Sequence, residues 1–183
     1  MIYFTADLHF YHKNIIKNTN RPFQDADEMN RILIQKWNER VNFNDDVYIL
    51  GDVTMRGPEM AAAVLHALKG KKHLVRGNHD GFADRDNFDV SLFASIQNYA
   101  EIVVDNTKFI LFHYPLLEWN QAYKGSIMLH GHQHNHADYN IENRKKGILR
   151  YDVGVDANAM SPVSAREIIL FFEGTVNYFQ SRR

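Results

Sequence analysis

The sequence predicts an α/β fold in which two mixed sheets pack on each other with helices outside, and two observations carry that prediction. In the first half, short apolar runs alternate with helical stretches in the order strand, helix, strand, helix, strand. That order implies βαβ crossovers and a largely parallel sheet, with functional loops at the carboxyl ends of its strands. In the second half, short apolar runs succeed one another across turn-sized gaps, which reads as a meander and therefore as a second sheet.

Ile2 to Ala6 reads as a short buried strand, Lys13 to Lys17 as a helical turn and Asn18 to Pro22 as a loop. Asp25 to Arg40 reads as a helix, because Met29, Ile32, Leu33 and Trp37 recur at three- and four-residue spacing and Asp25, Asp27 and Glu28 stand near its start. Asp46 to Leu50 is the second strand. Pro58 opens an alanine-rich helix to about Leu68 that Gly70 closes, and Lys72 to Val75 is the third strand. Tyr99 to Val104 and Lys108 to Phe112 are expected to form a hairpin. Ser126 to Leu129, Ile148 to Val153 and Glu167 to Phe172 are expected as later strands, with Thr175 to Phe179 as a last one and Glu142 to Gly147 as a polar hairpin tip.

The 183 residues suit a single domain, residues 1–183, with 45% hydrophobic and 23% charged side chains and a formal charge of −1. That charge argues against a polybasic surface, so nucleic acid is expected only as a substrate. There is no cysteine, hence no disulfide and no thiolate ligand, and any metal site must be built from His, Asp, Glu and Asn. Neither a secretory leader nor a membrane span is legible, so a cytoplasmic location is expected.

Five polar clusters end apolar runs: Asp7-Leu8-His9, Gly51-Asp52, Gly77-Asn78-His79-Asp80, His113, and Gly131-His132-Gln133-His134. Five of the ten histidines lie in them; His12, His66, His73, His130 and His136 lie outside and are expected as surface or packing residues. Asp7 with His9, and His132 with His134, are separated by one residue and would face one side of an extended chain. Gly131 removes a side chain that could crowd the approach. With Asp52, Asn78 and His113 these residues offer three oxygen and four nitrogen donors, too many for one ion and suited to two, with Asp52 as the natural bridge. Imidazole and carboxylate without sulfur favour Mn, Fe or Zn over Mg or Ca. Two divalent ions are expected, Mn first and Fe or Zn as alternatives, and such a pair generates hydroxide at neutral pH and holds both oxygens of an in-line phosphoryl displacement.

The ordered motifs Asp-x-His, Gly-Asp, Gly-Asn-His-Asp, a lone His and Gly-His-x-His resemble those of the calcineurin-like metallophosphoesterase superfamily, in its small bacterial or phage type. The resemblance implies a four-layer αββα sandwich with a dinuclear centre at its strand ends. It assigns Asp7, His9, Asp52 and His134 to one ion and Asp52, Asn78, His113 and His132 to the other. It makes His79 the proton donor to the leaving group or a stabiliser of the transition state, and Asp80 the residue that orients it. Gly51 to Gly57 resembles the Gly-Asp-x-x-Asp-Arg-Gly motif of the protein phosphatase branch, with Met55 in place of its second Asp, so Arg56 is a candidate phosphate contact. His12 and Asp156 are candidates for substrate or ligand-supporting roles.

The function expected is hydrolysis of small or flexible phosphodiesters. The alternatives are a phosphomonoesterase or nuclease of the same superfamily, or a non-catalytic metal-binding scaffold. The presence of His79 weighs against the scaffold.

Overall fold

The computed structural model describes residues 1–180. In chain order its strands are β1 (Ile2–Thr5), β2 (Asp46–Ile49), β3 (Lys71–Val75), β4 (Ser95–Gln97), β5 (Ala100–Val104), β6 (Thr107–Leu111), β7 (Ile127–His130), β8 (Arg150–Asp152) and β9 (Val163–Ser164). Its α-helices are α1 (Lys13–Asn18), α2 (Ala26–Arg40), α3 (Pro58–Ala67), α4 (Ala137–Lys145) and α5 (Ala165–Phe172). One sheet has the order β4-β3-β2-β1-β9 and the other β5-β6-β7-β8, and both are mixed.

Alternation along the strands divides the core into two clusters. Tyr3, Val47, Ile49 and Leu74 pack with Met29, Leu33 and Trp37 of α2 and with Val64 and Leu65 of α3. From the same strands and their ends, Phe4, Leu50 and Val75 pack with Phe109, Leu111 and Met128 of the second sheet. The first set is the outer helical layer and the second the layer between sheets, where the Phe4 and Phe109 rings stand 5.3 Å apart. α4 lies against β8, and α5 lies beside β9 and β1.

Four expectations change. The second half is not a meander: β5 and β6 are antiparallel, but β6 to β7 and β7 to β8 are parallel. Parallel pairing needs a crossover, and α4 occupies the β7 to β8 connection where a hairpin tip was expected at Glu142 to Gly147. Glu167 to Phe172 is helical, because Ser164 and Glu167 form a reciprocal capping box that starts α5. Thr175 to Phe179 is not a strand; it is held by Tyr178 N–H donating to Gly147 O at 2.9 Å and by Asn177 Nδ2 donating to Ala122 O at 2.7 Å.

The corrected strand directions bear on function. A meander would send the ends of β6 and β7 to opposite edges of the sheet. Parallel pairing brings His113, His132 and His134 to one edge.

Candidate metal centre

Each polar cluster follows the carboxyl end of a parallel strand: Asp7 and His9 follow β1, Asp52 follows β2, Asn78 to Asp80 follow β3, His113 follows β6, and His132 and His134 follow β7. The paired residues do not converge by lying on extended chain. Asp7, His9, Asp52, His132 and His134 all have positive φ, between 49° and 71°. Left-handed backbone at non-glycine residues is disfavoured and gathers where surrounding structure enforces it, commonly at functional sites.

Here the enforcement is visible. Asp7 and His9 donate their N–H groups to Gly51 O and Asp52 O, each at 3.0 Å. The carbonyls of Asp7 and Leu8 accept from the buried guanidinium of Arg21 at 2.7 and 3.0 Å. Arg21 carries no signal in the sequence that separates it from an ordinary loop arginine, and it was not foreseen.

All seven candidate ligands come together. Asp52 Oδ2 lies 3.4 Å from His9 Nε2 and 3.6 Å from His113 Nε2. Asn78 Oδ1 lies 3.0 Å from both His113 Nε2 and His132 Nδ1, which are 3.2 Å apart. Donor atoms of Asp7, His9 and His134 lie within 4.8 Å of one another, as do those of Asp7, Asp52 and His113.

Proton placement follows from partners that only accept. His113 Nδ1 is 2.8 Å from Leu50 O and must carry the hydrogen there, which leaves Nε2 as a lone pair aimed at Asn78 and Asp52. His134 Nδ1 is 2.8 Å from the Asp156 carboxylate, which leaves its Nε2 free in the same way. A ligand imidazole held through its second nitrogen by a carboxylate or carbonyl is the arrangement that fixes tautomer and orientation at metal sites. Asp156 is itself gripped at 2.8 Å by both Nε and Nη2 of Arg21. Burial opposes its ionisation, but the hydrogen bonds from His134 and Arg21 outweigh it and bring its pKa down to about 2.

The residues fit divalent cations. His9 Nε2 is buried and has no hydrogen-bond partner among the described residues. Burial, with the charges of His134 and Arg21, pushes the His9 imidazole down to about 2, so it is a neutral lone-pair donor. Asp7 is fully buried, and burial together with the Asp152 and Asp52 carboxylates raises its pKa well above the usual range. A cation would supply the countercharge these carboxylates lack. Gly131 leaves the space expected of it, since a Cβ there would stand 2.5 Å from Asp7 Oδ2.

The remaining candidates divide. Asp80 does not hold the His79 ring: its carboxylate accepts from the backbone N–H groups of Asp52, Val53 and Gly77 at 2.8–2.9 Å, and so ties two ligand loops together. His79 donates its own N–H to Asp52 Oδ1 at 2.9 Å, and its ring stands 5.5 Å from that of His9, partly exposed. Arg56 is exposed and lines a cleft with His79 and Arg85. His12 Nδ1 lies 3.4 Å from His9 Nδ1.

Of the other histidines, His130 is saturated by Gly131 O at 2.8 Å and Tyr139 OH at 3.1 Å. His73 ties Asp46 to Ser95 across β2, β3 and β4. Both serve packing.

Comparison with known proteins identifies the family. A family model for the calcineurin-like phosphoesterase superfamily domain matches residues 1–156. An uncharacterized protein of Methanocaldococcus jannaschii is 36% identical over 176 residues, covering 94% of this chain and 91% of its own length. The Gene 66 protein of Mycobacterium phage L5 is 29% identical over 182 residues, covering 85% of this chain and 86% of its own. The crystal structure of a protein of unknown function from Aquifex aeolicus superposes with a TM-score of 0.70 at 26% identity, covering 93% of this chain and 98% of that one. With the family match running from β1 through β8 and including every polar cluster, the chain belongs to the calcineurin-like phosphoesterase superfamily.

Proposed function

We propose that the chain is a dinuclear-metal phosphodiesterase. Superfamily membership supports a metal-dependent phosphoesterase in general. The observation that supports the finer reading is the gathering of seven oxygen and nitrogen donors from five strand ends around Asp52, itself one of them, with His9 Nε2 buried and without a hydrogen-bond partner among the described residues. In this reading Asp7, His9, Asp52 and His134 hold one divalent ion, and Asp52, Asn78, His113 and His132 hold the other. Mn is the expected metal for so imidazole-rich a set, with Fe or Zn as alternatives. Bound ions supply an activated water and positive charge against the phosphoryl oxygens.

The chain's own groups do the rest. Asp52 turns Oδ2 toward both His9 and His113 while its Oδ1 accepts from His79 N–H, so the residue that would bridge and the acid-base residue share one anchor. The His79 ring, not needed to complete either ligand set, donates a proton to the departing oxygen. Arg56, exposed on the rim, meets the phosphoester as it enters.

The test is Asp52→Asn. An amide offers one neutral oxygen where the carboxylate offers charge to both sides. Metal analysis of the reloaded variant is therefore expected to give well under two ions per chain, with hydrolysis almost abolished. Full occupancy with near-wild-type turnover would remove Asp52 from the bridge.

A further inference from the structure

The neighbouring residues Asn78 and His79 line two different clefts beside the ligand cluster, and the clefts differ in chemistry. On the His79 side stand Arg56 and Arg85, neither of which forms an ion pair with a described residue. On the Asn78 side is a larger cleft of about 720 Å³, whose walls include Arg76, Asn98, Phe112 and Tyr114. Its one cationic side chain is neutralised, since Arg76 Nη1 lies 2.7 Å from Asp84 Oδ1. Its buried carboxylate, Asp80, is occupied by three backbone N–H groups. What remains to meet a ligand is amide and aromatic surface.

The aromatic surface reaches the centre itself. The Tyr114 ring stands 4.6 Å from His132 and 4.9 Å from His113, edge to face in both cases. Phe112 stands 5.6 Å from Tyr114, and Tyr99 continues the row 6.3 Å from Phe112. Tyr114 is 39% exposed despite these contacts, so a large ring beside two candidate ligands faces water. An exposed aromatic platform next to a phosphoester centre, with hydrogen-bonding groups around it and its one arginine already paired with Asp84, matches a neutral planar ligand that has polar edges. Every nucleobase has such a π-face and such edges. The volume lies within the roughly 300–1,000 Å³ typical of small-molecule sites and exceeds what a bare phosphate needs.

We propose that the Tyr114 cleft is a nucleoside subsite: it holds the base and sugar of one ester substituent, with the base on Tyr114 and its edge toward Asn98 and Arg76. The proposal rests on the phosphoesterase reading of the adjacent centre. It adds a substrate class and a direction, with the nucleoside on the Tyr114 side and the other substituent beside His79, Arg56 and Arg85.

The test compares probes that share a phosphate and differ in the nucleoside. Calorimetric titration of the Mn²⁺-loaded protein with thymidine 5′-monophosphate and with methyl phosphate gives a ratio of affinities from which damage to the metal site cancels. The ratio is expected to be roughly 10-fold or more in favour of the nucleotide, as for one stacked base. Tyr114→Ala is expected to bring it close to one, and Tyr114→Phe to keep most of it. A wild-type ratio near one, no measurable nucleotide binding, or an equal loss for both probes in Tyr114→Ala overturns the subsite; the last result would make Tyr114 a support for His132 only. Hydrolysis of thymidine 5′-(p-nitrophenyl) phosphate and methyl p-nitrophenyl phosphate separates the two readings. Turnover of both diesters with an affinity ratio near one keeps the phosphodiesterase and removes the subsite. A high ratio without turnover of either keeps the subsite and removes the phosphodiesterase.

Discussion

His134 shows how much of the centre is settled by residues that touch no substrate. Its Nδ1 is held by Asp156, and Asp156 by Arg21, whose guanidinium also donates to the carbonyls of Asp7 and Leu8. Arg21 and Asp156 are fully buried at their side chains, and removing one partner of such a pair typically costs ~3–5 kcal/mol, because the other charge is left uncompensated. Asp156→Asn is therefore expected to lose stability of about that size at pH 7. The pH dependence has a definite sign. The folded pKa of Asp156, about 2, lies below the ordinary carboxylate value, so its contribution is complete above about pH 4 and lost as pH falls toward about 2. Urea unfolding of the metal-stripped proteins should show the gap between wild type and variant narrowing across that window; a gap that stays constant would assign the stabilisation elsewhere. His79→Ala should behave differently. It leaves every candidate ligand in place, so two ions should still bind while turnover falls by roughly 10²- to 10⁴-fold, as for a lost general acid. The loss should shrink for diesters with very acidic leaving groups, which depart without a proton. An equal loss across a leaving-group series would make His79 a positioning residue.

At the scale of elements, legibility followed periodicity and failed where pairing or capping decided the outcome. α2 was readable because Met29, Leu33 and Trp37 bury one stripe, and Asp25 caps it by accepting from Glu28 N–H. α5 was misread because Ile168 to Phe172 is a continuous apolar run that suits strand or helix equally. The deciding signal, Ser164 followed three residues later by Glu167, lay just upstream. α4 has little apolar surface to reveal a period, and only Asp138 near its start and Arg144 and Lys145 at its end mark it. β4 and β9 are three and two residues long and exist by pairing with distant strands, which no local pattern announces. The ligand clusters were legible because their chemistry is local; the left-handed backbone at Asp7 and His9 was not, since the groups that hold it come from Gly51, Asp52 and Arg21. Gly77 joins the two levels. Its φ is ordinary, yet a Cβ there would stand 2.3 Å from Asp52 Oδ1 and 2.9 Å from His113 Cε1. Gly77→Ala is thus expected to displace the bridge and lower metal stoichiometry, read by metal analysis beside a thermal melt. Unchanged stoichiometry would mean that the loop yields and that the close packing is incidental.

Across the whole molecule, the centre runs from a buried floor to an open rim. Asp7, His9, Asp52 and His113 are buried, whereas Asn78 and His132 are exposed. Among the described residues, the longest intervals between candidate ligands are spent on the layers of the fold. Residues 10–51 make α1, α2 and β2, and residues 79–112 make two 3₁₀ turns and the strands β4 to β6. Two clefts open beside the candidate ligands at the strand ends, one at Tyr114 and one at His79, so a bound phosphorus could be approached from both. A site open on two sides accepts a phosphorus bearing two substituents and has few walls with which to reject either. A monoester leaves one cleft empty and brings an additional negative charge to a rim whose unpaired arginines lie on one side only. We therefore expect a small aryl phosphodiester to be hydrolysed clearly faster than the matching monoester. After chelation, Mn²⁺ should restore more activity than Mg²⁺, because imidazole donors suit the softer ion. The deciding measurement is kcat/KM for the two esters on one metal-loaded preparation. A clear monoester preference would overturn the phosphodiesterase assignment while leaving the superfamily intact, and it would mean that one of the two clefts is closed to substrate by the ions or by the rim arginines.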